Sequence, residues 1–359
     1  MGLVCGIVGL PNVGKSTLFN ALTCGAAAAE NYPFCTIEPN AGIAELADAR
    51  LDAIAALAKS SRTIYAAAEF VDIAGLVKGA SQNAGLGNRF LSHIREADGI
   101  AHIVRCFGGD GHIGGAPNPA SDIETINTEL ALADLATAEK MRAKAQKQGR
   151  AGDKEARRLA QACDKCACHL NEGGALRTLQ LDDMERQAAA SAFFLTMKPL
   201  VYVANVNDDD DEEYAAAVAD IAKAEGAQFV KINSRAEAEM ADMTAAERAE
   251  LLGAEVAANT GLARLARAAF LMMGLTTFFT AGEKEARAWT VKKDCPAKLA
   301  AGAIHGDFAA KFIRAEVCSW QDYESCGGEA KAKAAGKIRS EGADYPVKDG
   351  DIILFRTGA

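Results

Sequence analysis

The hydrophobic pattern of the chain begins with an apolar run at residues 3–9, which ends at Gly9. Apolar and β-branched residues without polar alternation predict a strand that is buried on both faces of a sheet. A helix is predicted to begin at Lys15. Further strands are predicted at residues 66–72, 99–107, 200–205 and 227–233. Strands that alternate with helical stretches predict an α/β fold with a mostly parallel sheet and helices on both faces.

A long helical segment interrupts this alternation at residues 121–192, which are rich in Ala, Leu, Glu, Lys and Arg and contain no proline. Such a composition favours long helices, and Gly149 and Gly152 divide the segment near its middle. From Thr277 the pattern changes to short β-like runs with turns. We therefore predict an α/β sheet domain at residues 1–120 and 196–275, an inserted helical hairpin at residues 121–195, and a small C-terminal domain at residues 276–359.

The composition is that of a soluble globular protein. The 359 residues carry a formal net charge of −9, and no apolar run approaches the ~18 residues of a membrane span. The N-terminal residues show no secretory signal, and ten cysteines without a disulfide framework suit a reducing compartment. We expect a cytoplasmic protein with no membrane partner and no DNA partner.

One basic segment stands out from the acidic chain. Residues 139–158 hold eight Lys and Arg against three Asp and Glu, and they lie where the tip of the hairpin is predicted. A local basic patch binds polyanions despite an opposite net charge, so this tip is a candidate RNA contact. The alternative is an ordinary solvated helix face.

The sequence GLPNVGKST at residues 9–17 matches the phosphate-binding P-loop pattern between a predicted strand and a predicted helix. In such a loop the backbone N–H groups surround the β-phosphate, Lys15 neutralises the β- and γ-oxygens, and Ser16 ligates Mg²⁺. The remaining nucleotide-binding candidates of the loop are Asn12, Val13, Gly14 and Thr17. The segment predicts a nucleoside triphosphate site.

A second phosphate-side element follows the P-loop by about 55 residues. Asp72 ends a predicted strand and begins a D-x-x-G pattern that ends at Gly75. This spacing predicts that Asp72 holds Mg²⁺ through a water molecule and that the Gly75 N–H contacts the γ-phosphate. Thr36, in the loop after the first helix, is a further candidate metal ligand.

The element that contacts the base is predicted at Asn205, Val206 and Asp208, after a later strand. Guanine-specific proteins use Asn-Lys-x-Asp, in which the aspartate accepts from guanine and the lysine packs over the base. Here Val206 occupies the position of that lysine. Asp208 opens an acidic run, so both a base contact and a solvated charge remain open.

The residue that positions the attacking water is not the usual one. Leu76 follows Gly75, where many GTPases have a glutamine, and a leucine side chain cannot orient water. Two candidates can replace it. One is His112, in a glycine-rich loop that could close over the γ-phosphate. The other is a monovalent cation such as K⁺, held partly by Asn12.

These motifs together resemble the YchF or Obg-like ATPase family, and the resemblance covers nearly the whole chain. The segments that carry it are residues 9–17, 31–40, 72–81, 85–88 and 127–130, and in the last domain residues 278–280, 287–290, 304–308 and 312–317. The resemblance implies an OBG-type G domain, an antiparallel coiled-coil hairpin and a C-terminal, β-grasp-like TGS domain that is associated with RNA or ribosome contacts.

The resemblance also implies a preference for ATP over GTP, with the hydrophobic Val206 against the base, and a ribosome-associated protein in which His112 acts in hydrolysis. Two features depart from the family pattern. The base motif ends in Asp208 where the family usually has glutamate, and Asn233 and Ser234 stand where Ser and Ala are usual.

Two other clusters have structural interpretations. Three cysteines and a histidine at residues 163–169 lie in a predicted helix without a second ligand pair, which favours free thiols over a zinc site. The aromatic residues of the last domain could stack on RNA, but a domain of that size needs most of them for its core. The stacking candidates are Trp289, Trp320, Phe278, Phe279, Phe308 and Phe312.

The leading hypothesis is a Mg²⁺-dependent ATPase that docks on the ribosome or ribosomal RNA as a nucleotide-controlled switch in translation or stress regulation. A guanine-specific GTPase of the same fold is the nearest alternative, favoured by Asp208 and disfavoured by Val206. A third hypothesis is a nucleotide-sensing binding module whose hydrolysis is incidental, which Leu76 keeps open.

Overall fold

The structure is a computed structural model that describes residues 4–24, 41–73, 86–108, 115–150, 152–207, 211–253, 256 and 259–358. Its first sheet has the strand order β2-β4-β1-β5-β6-β7. The strands are β1 (Val4–Val8), β2 (Ala41–Leu46), β4 (Ala66–Asp72), β5 (Gly99–Arg105), β6 (Leu200–Asn205) and β7 (Gln228–Ile232). Only the β2–β4 pair among these is antiparallel. The mostly parallel sheet is confirmed.

The predicted strands differ from the observed ones mainly at their ends. β4 and β6 have the predicted bounds, whereas β5 stops at Arg105 and β7 stops at Ile232. β7 ends there because the Asn233 side chain accepts a hydrogen bond from the Ala236 N–H and caps the next helix. At the other end of β7, the Ala227 N–H closes the preceding helix by donating to the Ala222 carbonyl.

Helices cover both faces of the first sheet. They are α1 (Lys15–Cys24), α3 (Leu86–Glu96), α7 (Glu212–Glu225), α8 (Ser234–Glu239), α9 (Ala245–Leu252) and α10 (Gly261–Met272). One hydrophobic cluster joins the sheet to α3, α7 and the first turns of the hairpin. A second cluster on the opposite face joins it to α1 and α10. Because α1 and the end of β1 share the second cluster, the loop between them has a rigid support.

The hairpin consists of α4 (Pro119–Arg150) and α5 (Lys154–Asn171). The turn between them lies at Gly152, whose φ of 101° favours glycine, and Asp153 caps α5. The sequence predicted helix up to residue 192, and this prediction makes the second helix of the hairpin too long. The helix ends at Asn171, before Gly173 and Gly174, and a 3-10 turn (Leu176–Thr178) and α6 (Asp183–Ala190) follow. The hairpin therefore carries a third helix, α6, beside α5.

The second sheet has the order β11-β10-β12-β8-β9-β3. Its strands are β3 (Thr63–Ile64), β8 (Leu275–Ala281), β9 (Ala286–Lys292), β10 (Phe312–Ser319), β11 (Arg339–Glu341) and β12 (Asp351–Thr357). Four helices belong to this part, namely α11 (Ala297–Ile304), α12 (Gly306–Ala310), α13 (Trp320–Cys326) and α14 (Glu329–Ala334). The predicted β-rich C-terminal region is confirmed as a mixed sheet with helices.

A segment from the front of the chain completes this second sheet. β3 pairs in parallel with β9, and the Ala286 N–H donates to the Arg62 carbonyl at 2.9 Å. Helix α2 (Ala49–Ala58) places Leu51 and Ile54 in the same hydrophobic cluster as Phe279. The pattern did not predict β3. The division into three domains stays a prediction, and the front and C-terminal regions share a continuous core.

Among the helices that the structure describes, none is both long enough and apolar enough to cross a membrane.

Candidate nucleotide site

The loop between β1 and α1 fits closely against the end of β6. Gly14 has a φ of 93°, and a Cβ atom at this position would lie 2.1 Å from Nδ2 of Asn205. A Cβ atom on Gly9 would lie 2.5 Å from the Ile103 carbonyl oxygen. Both glycines of the motif are therefore required by close approach, and at Gly14 the backbone conformation requires glycine as well.

Lys15 lies across this loop and is nearly buried, with 8% of its surface exposed. Its Nζ donates to the Gly9 carbonyl at 3.1 Å and to the Leu10 carbonyl at 2.6 Å. Burial lowers the pKa of Lys15, and the nearby charge of Asp72 opposes that shift. A buried ammonium group whose hydrogen-bond acceptors among the described residues are two backbone carbonyls is suited to bind a phosphate oxygen.

Asp72 lies at the end of β4, opposite Ile7 of β1. Its Oδ1 is buried and has no hydrogen-bond partner among the described residues. Burial raises the pKa of Asp72, and Lys15 opposes that shift. A buried carboxylate oxygen without a partner costs free energy unless a cation or a water molecule satisfies it. Asp72 therefore fits a Mg²⁺ ion with its water shell, and the exposed Ser16 follows Lys15 in the first turn of α1.

Asn205 connects three elements of the site. Its Nδ2 donates to the Val13 carbonyl at 2.9 Å, and its Oδ1 accepts from the Ser234 N–H at 3.0 Å. The side chain is buried, with 3% of its surface exposed. The sequence predicted Asn205 as a nucleotide contact, and the structure places its amide between the P-loop and the start of α8. The residue thus fixes the position of the loop.

Val206 follows β6 and is also buried, with 7% of its surface exposed. Its side chain belongs to the hydrophobic cluster that includes Ala215 and Val218 of α7. Its backbone N–H donates to the Ile232 carbonyl at 2.8 Å. These contacts fix the start of the loop after β6, and contact of Val206 with a base stays a prediction.

The start of α8 supplies two residues that the motifs do not predict as nucleotide contacts, Asn233 and Ser234. The Asn233 Nδ2 donates to the Asn207 carbonyl at 2.6 Å, which ties α8 to the loop after β6. Ser234 is 2% exposed, and its hydroxyl has no partner among the described residues. An asparagine directly before a short helical segment is an N-cap signal, so Asn233 marks this helix start in the sequence.

The remaining predicted residues divide into two groups. Within the P-loop, Asn12 is exposed with a left-handed φ of 63°, Val13 is buried, and Thr17 is half-buried. The other group lies outside the described residues: Thr36, Gly75, Leu76, His112 and Asp208. Their predicted roles stay predictions.

The cysteine cluster of the hairpin has ordinary structural contacts. Cys163 and Cys166 are buried and free. The His169 ring lies 3.1 Å from the Ala175 carbonyl and 3.0 Å from the Thr178 hydroxyl through its Nε2. Within the ranges that the structure describes, no group of three or more His, Cys, Asp or Glu residues could hold a metal ion. The interpretation of these cysteines as free thiols stays a prediction.

Comparison with known proteins gives matches along the whole chain. A model described as 50S ribosome-binding GTPase matches residues 4–142, and a YchF-GTPase C-terminal model, described as a protein of unknown function, matches residues 275–358. The chain is 50% identical to the ribosome-binding ATPase YchF of Escherichia coli O157:H7 and 44% identical to that of Bacillus subtilis (strain 168). Each alignment covers 99% of both proteins.

A solved structure shows the same architecture. The YchF GTPase of Schizosaccharomyces pombe superposes with a TM-score of 0.85 at 31% sequence identity, covering 99% of this chain and 98% of that one. The close approach of Gly9 to β5 and of Gly14 to β6, the buried Lys15 and the full-length identity all agree with a P-loop protein of this family. The chain belongs to the YchF family of P-loop proteins.

Proposed function

We propose that this protein is a Mg²⁺-dependent nucleoside triphosphatase that prefers ATP and acts as a ribosome-associated switch in the cytoplasm. The observation that carries the proposal is the buried Lys15 ammonium at the P-loop, close enough to Asp72 for each charge to shift the pKa of the other, together with the buried Oδ1 of Asp72, which has no hydrogen-bond partner among the described residues. The names of the bacterial relatives, which include ribosome binding and ATPase activity, support the choice of nucleotide and partner.

In this proposal the chain's own residues bind and orient the triphosphate. The P-loop N–H groups and Lys15 hold the β- and γ-phosphates, while Asn205 keeps the loop in place through the Val13 carbonyl. Ser16, Asp72 through water, and Thr36 would hold Mg²⁺, which neutralises the phosphate charge. His112 or a K⁺ ion beside Asn12 would orient the attacking water in place of the missing glutamine.

The choice of nucleotide is tested by competition. We expect ATP and GTP both to displace a fluorescent ATP analogue from the purified protein, with GTP needed at about ten times the ATP concentration or more. A tenfold ratio corresponds to a difference of about 1.4 kcal/mol in binding free energy. The names of the relatives differ on this point, since the fungal protein is called a GTPase. Tighter binding of GTP would favour the guanine-specific alternative.

Replacement of Asp72 by asparagine is expected to weaken apparent Mg²⁺ affinity about tenfold or more, as is usual when a residue that holds a metal through water is lost. The test is hydrolysis as a function of Mg²⁺ concentration.

Because burial raises the pKa of Asp72, its carboxylate takes up a proton at a higher pH than an ordinary aspartate. Mg²⁺ affinity should therefore fall as the pH is lowered through that pKa, and Asp72→Asn should remove this pH dependence. An unchanged pH profile in the variant would contradict the assignment.

We further propose that the hairpin tip contacts RNA phosphates and that residues 275–358 act as a TGS domain on the ribosome. The basic side chains of the tip that support this are exposed: Lys140, Lys144, Lys147, Arg150, Lys154, Arg157 and Arg158. Exposed cations on a projecting pair of helices can reach phosphates while the acidic remainder of the chain stays at a distance.

Neutralising three tip residues tests the RNA contact. The triple variant Lys147→Gln, Arg150→Gln, Lys154→Gln should bind ribosomes with a weaker salt dependence. The slope of log K against log salt concentration should become less steep by about 2, because each lost phosphate contact removes about 0.7 from the slope. The control variant carries Lys59→Gln, Lys223→Gln and Arg267→Gln, which are also exposed and lie outside the hairpin. Equal slopes for both variants, measured by ribosome co-sedimentation, would exclude the tip as the contact.

The binding-module alternative predicts a different result. If Lys15→Gln abolished hydrolysis but left ribosome association and cellular function intact, hydrolysis would be incidental and nucleotide occupancy alone would control the protein.

A further inference from the structure

The chain between β2 and β4 packs into the C-terminal region, residues 275–358. This strap, residues 47–65, contains α2 and β3. β3 pairs with β9 of the second sheet. Leu51 and Ile54 of α2 are buried in the hydrophobic cluster that contains Phe279. Two neighbouring strands of the first sheet are therefore connected through the core of the second.

Hydrogen bonds attach one end of the strap to the turn between β8 and β9. The Ser60 hydroxyl donates to the Gly282 carbonyl at 2.6 Å. The Ser61 hydroxyl donates to the Lys284 carbonyl at 2.8 Å, and the Ser61 N–H donates to the Glu283 carbonyl at 2.9 Å. All three acceptors are backbone carbonyls of the turn, so this end of the strap is fixed to the C-terminal region.

The other end of the strap is held by Arg50. Its Nη1 donates to Oδ2 of Asp349 at 2.5 Å, and its guanidinium carbon lies 5.4 Å from the centre of the Phe279 ring. Within the strap, Asp48 accepts from Nη2 of the same guanidinium at 2.7 Å. Because both ends are attached, the strap and the C-terminal region form one packed unit.

The strands on either side of the strap belong to both hydrophobic cores. Leu46, the last residue of β2, packs against the cluster of each sheet. Ala66, the first residue of β4, lies in the C-terminal cluster, whereas Ala68 and Phe70 of the same strand lie in the cluster of the first sheet. β4 thus begins in one core and continues into the other.

The far end of β4 is the candidate Mg²⁺ site. β4 pairs with β2 at every residue from Ala66 to Val71 and ends at Asp72. A strand rises about 3.3 Å per residue, so about 20 Å separates Ala66 from Asp72. A paired strand with buried side chains has a fixed register, and its residues shift together more readily than they slide past their partners.

We propose that β4, held in register by β2, couples the position of the strap and the C-terminal region to the binding of Mg²⁺ and nucleotide at Asp72. This coupling rests on the proposed function, in which Asp72 holds Mg²⁺ through water. A displacement of the strap is passed along β4 to its last residue. The pairing of Asp72 with Ile7 of β1 keeps the shift small. A small shift is sufficient, because a misplacement of about 1 Å can slow a catalysed reaction about 100-fold.

The coupling acts in both directions, as thermodynamic linkage requires. Mg²⁺ and nucleotide, by fixing Asp72, also favour the attached position of the strap. Conversely, a partner that binds the C-terminal region and displaces the strap changes the affinity for Mg²⁺ and nucleotide by the same factor.

Hydrogen exchange on the full-length protein tests the coupling directly. A non-hydrolysable ATP analogue with Mg²⁺ should slow exchange of the Ser61 and Ala286 amides at least about fivefold. These two N–H groups donate across the boundary, Ser61 to Glu283 and Ala286 to Arg62. The β10–β12 ladder, which pairs within the C-terminal region, is the internal reference and should change less than about twofold.

Two variants test whether the strap carries the effect. Ser60→Ala with Ser61→Ala removes both hydroxyls that hold the turn, and it should weaken binding of the analogue with Mg²⁺ about threefold to fivefold in calorimetry. Ser60→Thr with Ser61→Thr keeps the hydroxyls and should bind as the unaltered protein does. Thr280→Val is the matched control, since it removes the Trp289 hydrogen bond within the same pair of strands and leaves the strap contacts in place.

Three results would overturn the coupling while leaving the proposed hydrolysis intact, because Lys15 and Asp72 are unaltered in every variant. The analogue could bind with Mg²⁺ and leave exchange at Ser61 and Ala286 unchanged. The β10–β12 ladder could slow as much as these two amides, which would show general stabilisation. Thr280→Val could weaken binding as much as the double alanine variant. If the unaltered protein bound no nucleotide with Mg²⁺, the proposed function would fail and the coupling with it.

Discussion

Replacing Lys15 by glutamine is expected to lower the rate of nucleotide hydrolysis about 100- to 1000-fold, the usual cost of losing one preorganised group that stabilises developing charge. Glutamine retains an N–H donor for the carbonyls of Gly9 and Leu10, which Lys15 contacts at 3.1 and 2.6 Å. The loop should therefore keep its conformation, and the loss should reflect the missing positive charge at the phosphates. Single-turnover hydrolysis of ATP measures the rate directly.

The control for this variant is Lys223→Gln, which removes an exposed lysine from α7. It should hydrolyse ATP at the rate of the unaltered protein, and calorimetry should show that only Lys15→Gln weakens ATP binding. If Lys15→Gln hydrolyses ATP within threefold of the unaltered protein, the assignment of the phosphate-binding lysine is wrong.

The sheet and the hairpin were predictable because their signals are local. An apolar run of strand length between helical stretches is enough to give β1, β4 and β6, and a proline-free helical segment gives α4. The pairing of β3 with β9 was not predictable. Two residues, Thr63 and Ile64, carry no pattern of their own and become a strand only because Ala286 and Arg287 lie beside them in the fold.

The phosphate side of the site was also predictable, since the spacing from Gly9 to Lys15 follows from the geometry of the loop. The roles of the other site residues depend on distances between strand ends and loops that are far apart in the sequence. The motif predicted Asn205 as a nucleotide contact, but the two hydrogen bonds of its amide join the P-loop to α8. Such a role requires knowing that β6 and β1 end at the same edge of the sheet.

The largest effect on stability is expected at Asp134, on α4. Its side chain is completely buried, and it accepts hydrogen bonds from the Leu195 N–H at 2.8 Å, the Thr196 N–H at 2.7 Å and the Thr196 hydroxyl at 2.7 Å. Burial raises the pKa of Asp134, and these three hydrogen bonds oppose that shift. The carboxylate thereby joins the hairpin to the segment that returns to the sheet before β6.

Asp134→Ala should lower the free energy of unfolding by about 3–5 kcal/mol, because it leaves two buried N–H groups and a buried hydroxyl without their acceptor, at about 1–3 kcal/mol for each group. Asp164→Ala is the matched control on the hairpin, since Asp164 is half exposed in its ion pair with Arg142 and should cost less than about 1 kcal/mol. Urea unfolding measures the loss of global stability. Native-state hydrogen exchange measures the local loss, because the Leu195 and Thr196 amides should exchange faster in Asp134→Ala even where the rest of the protein stays folded. Equal unfolding midpoints for the two variants would show that the buried carboxylate does not hold the hairpin to the sheet domain.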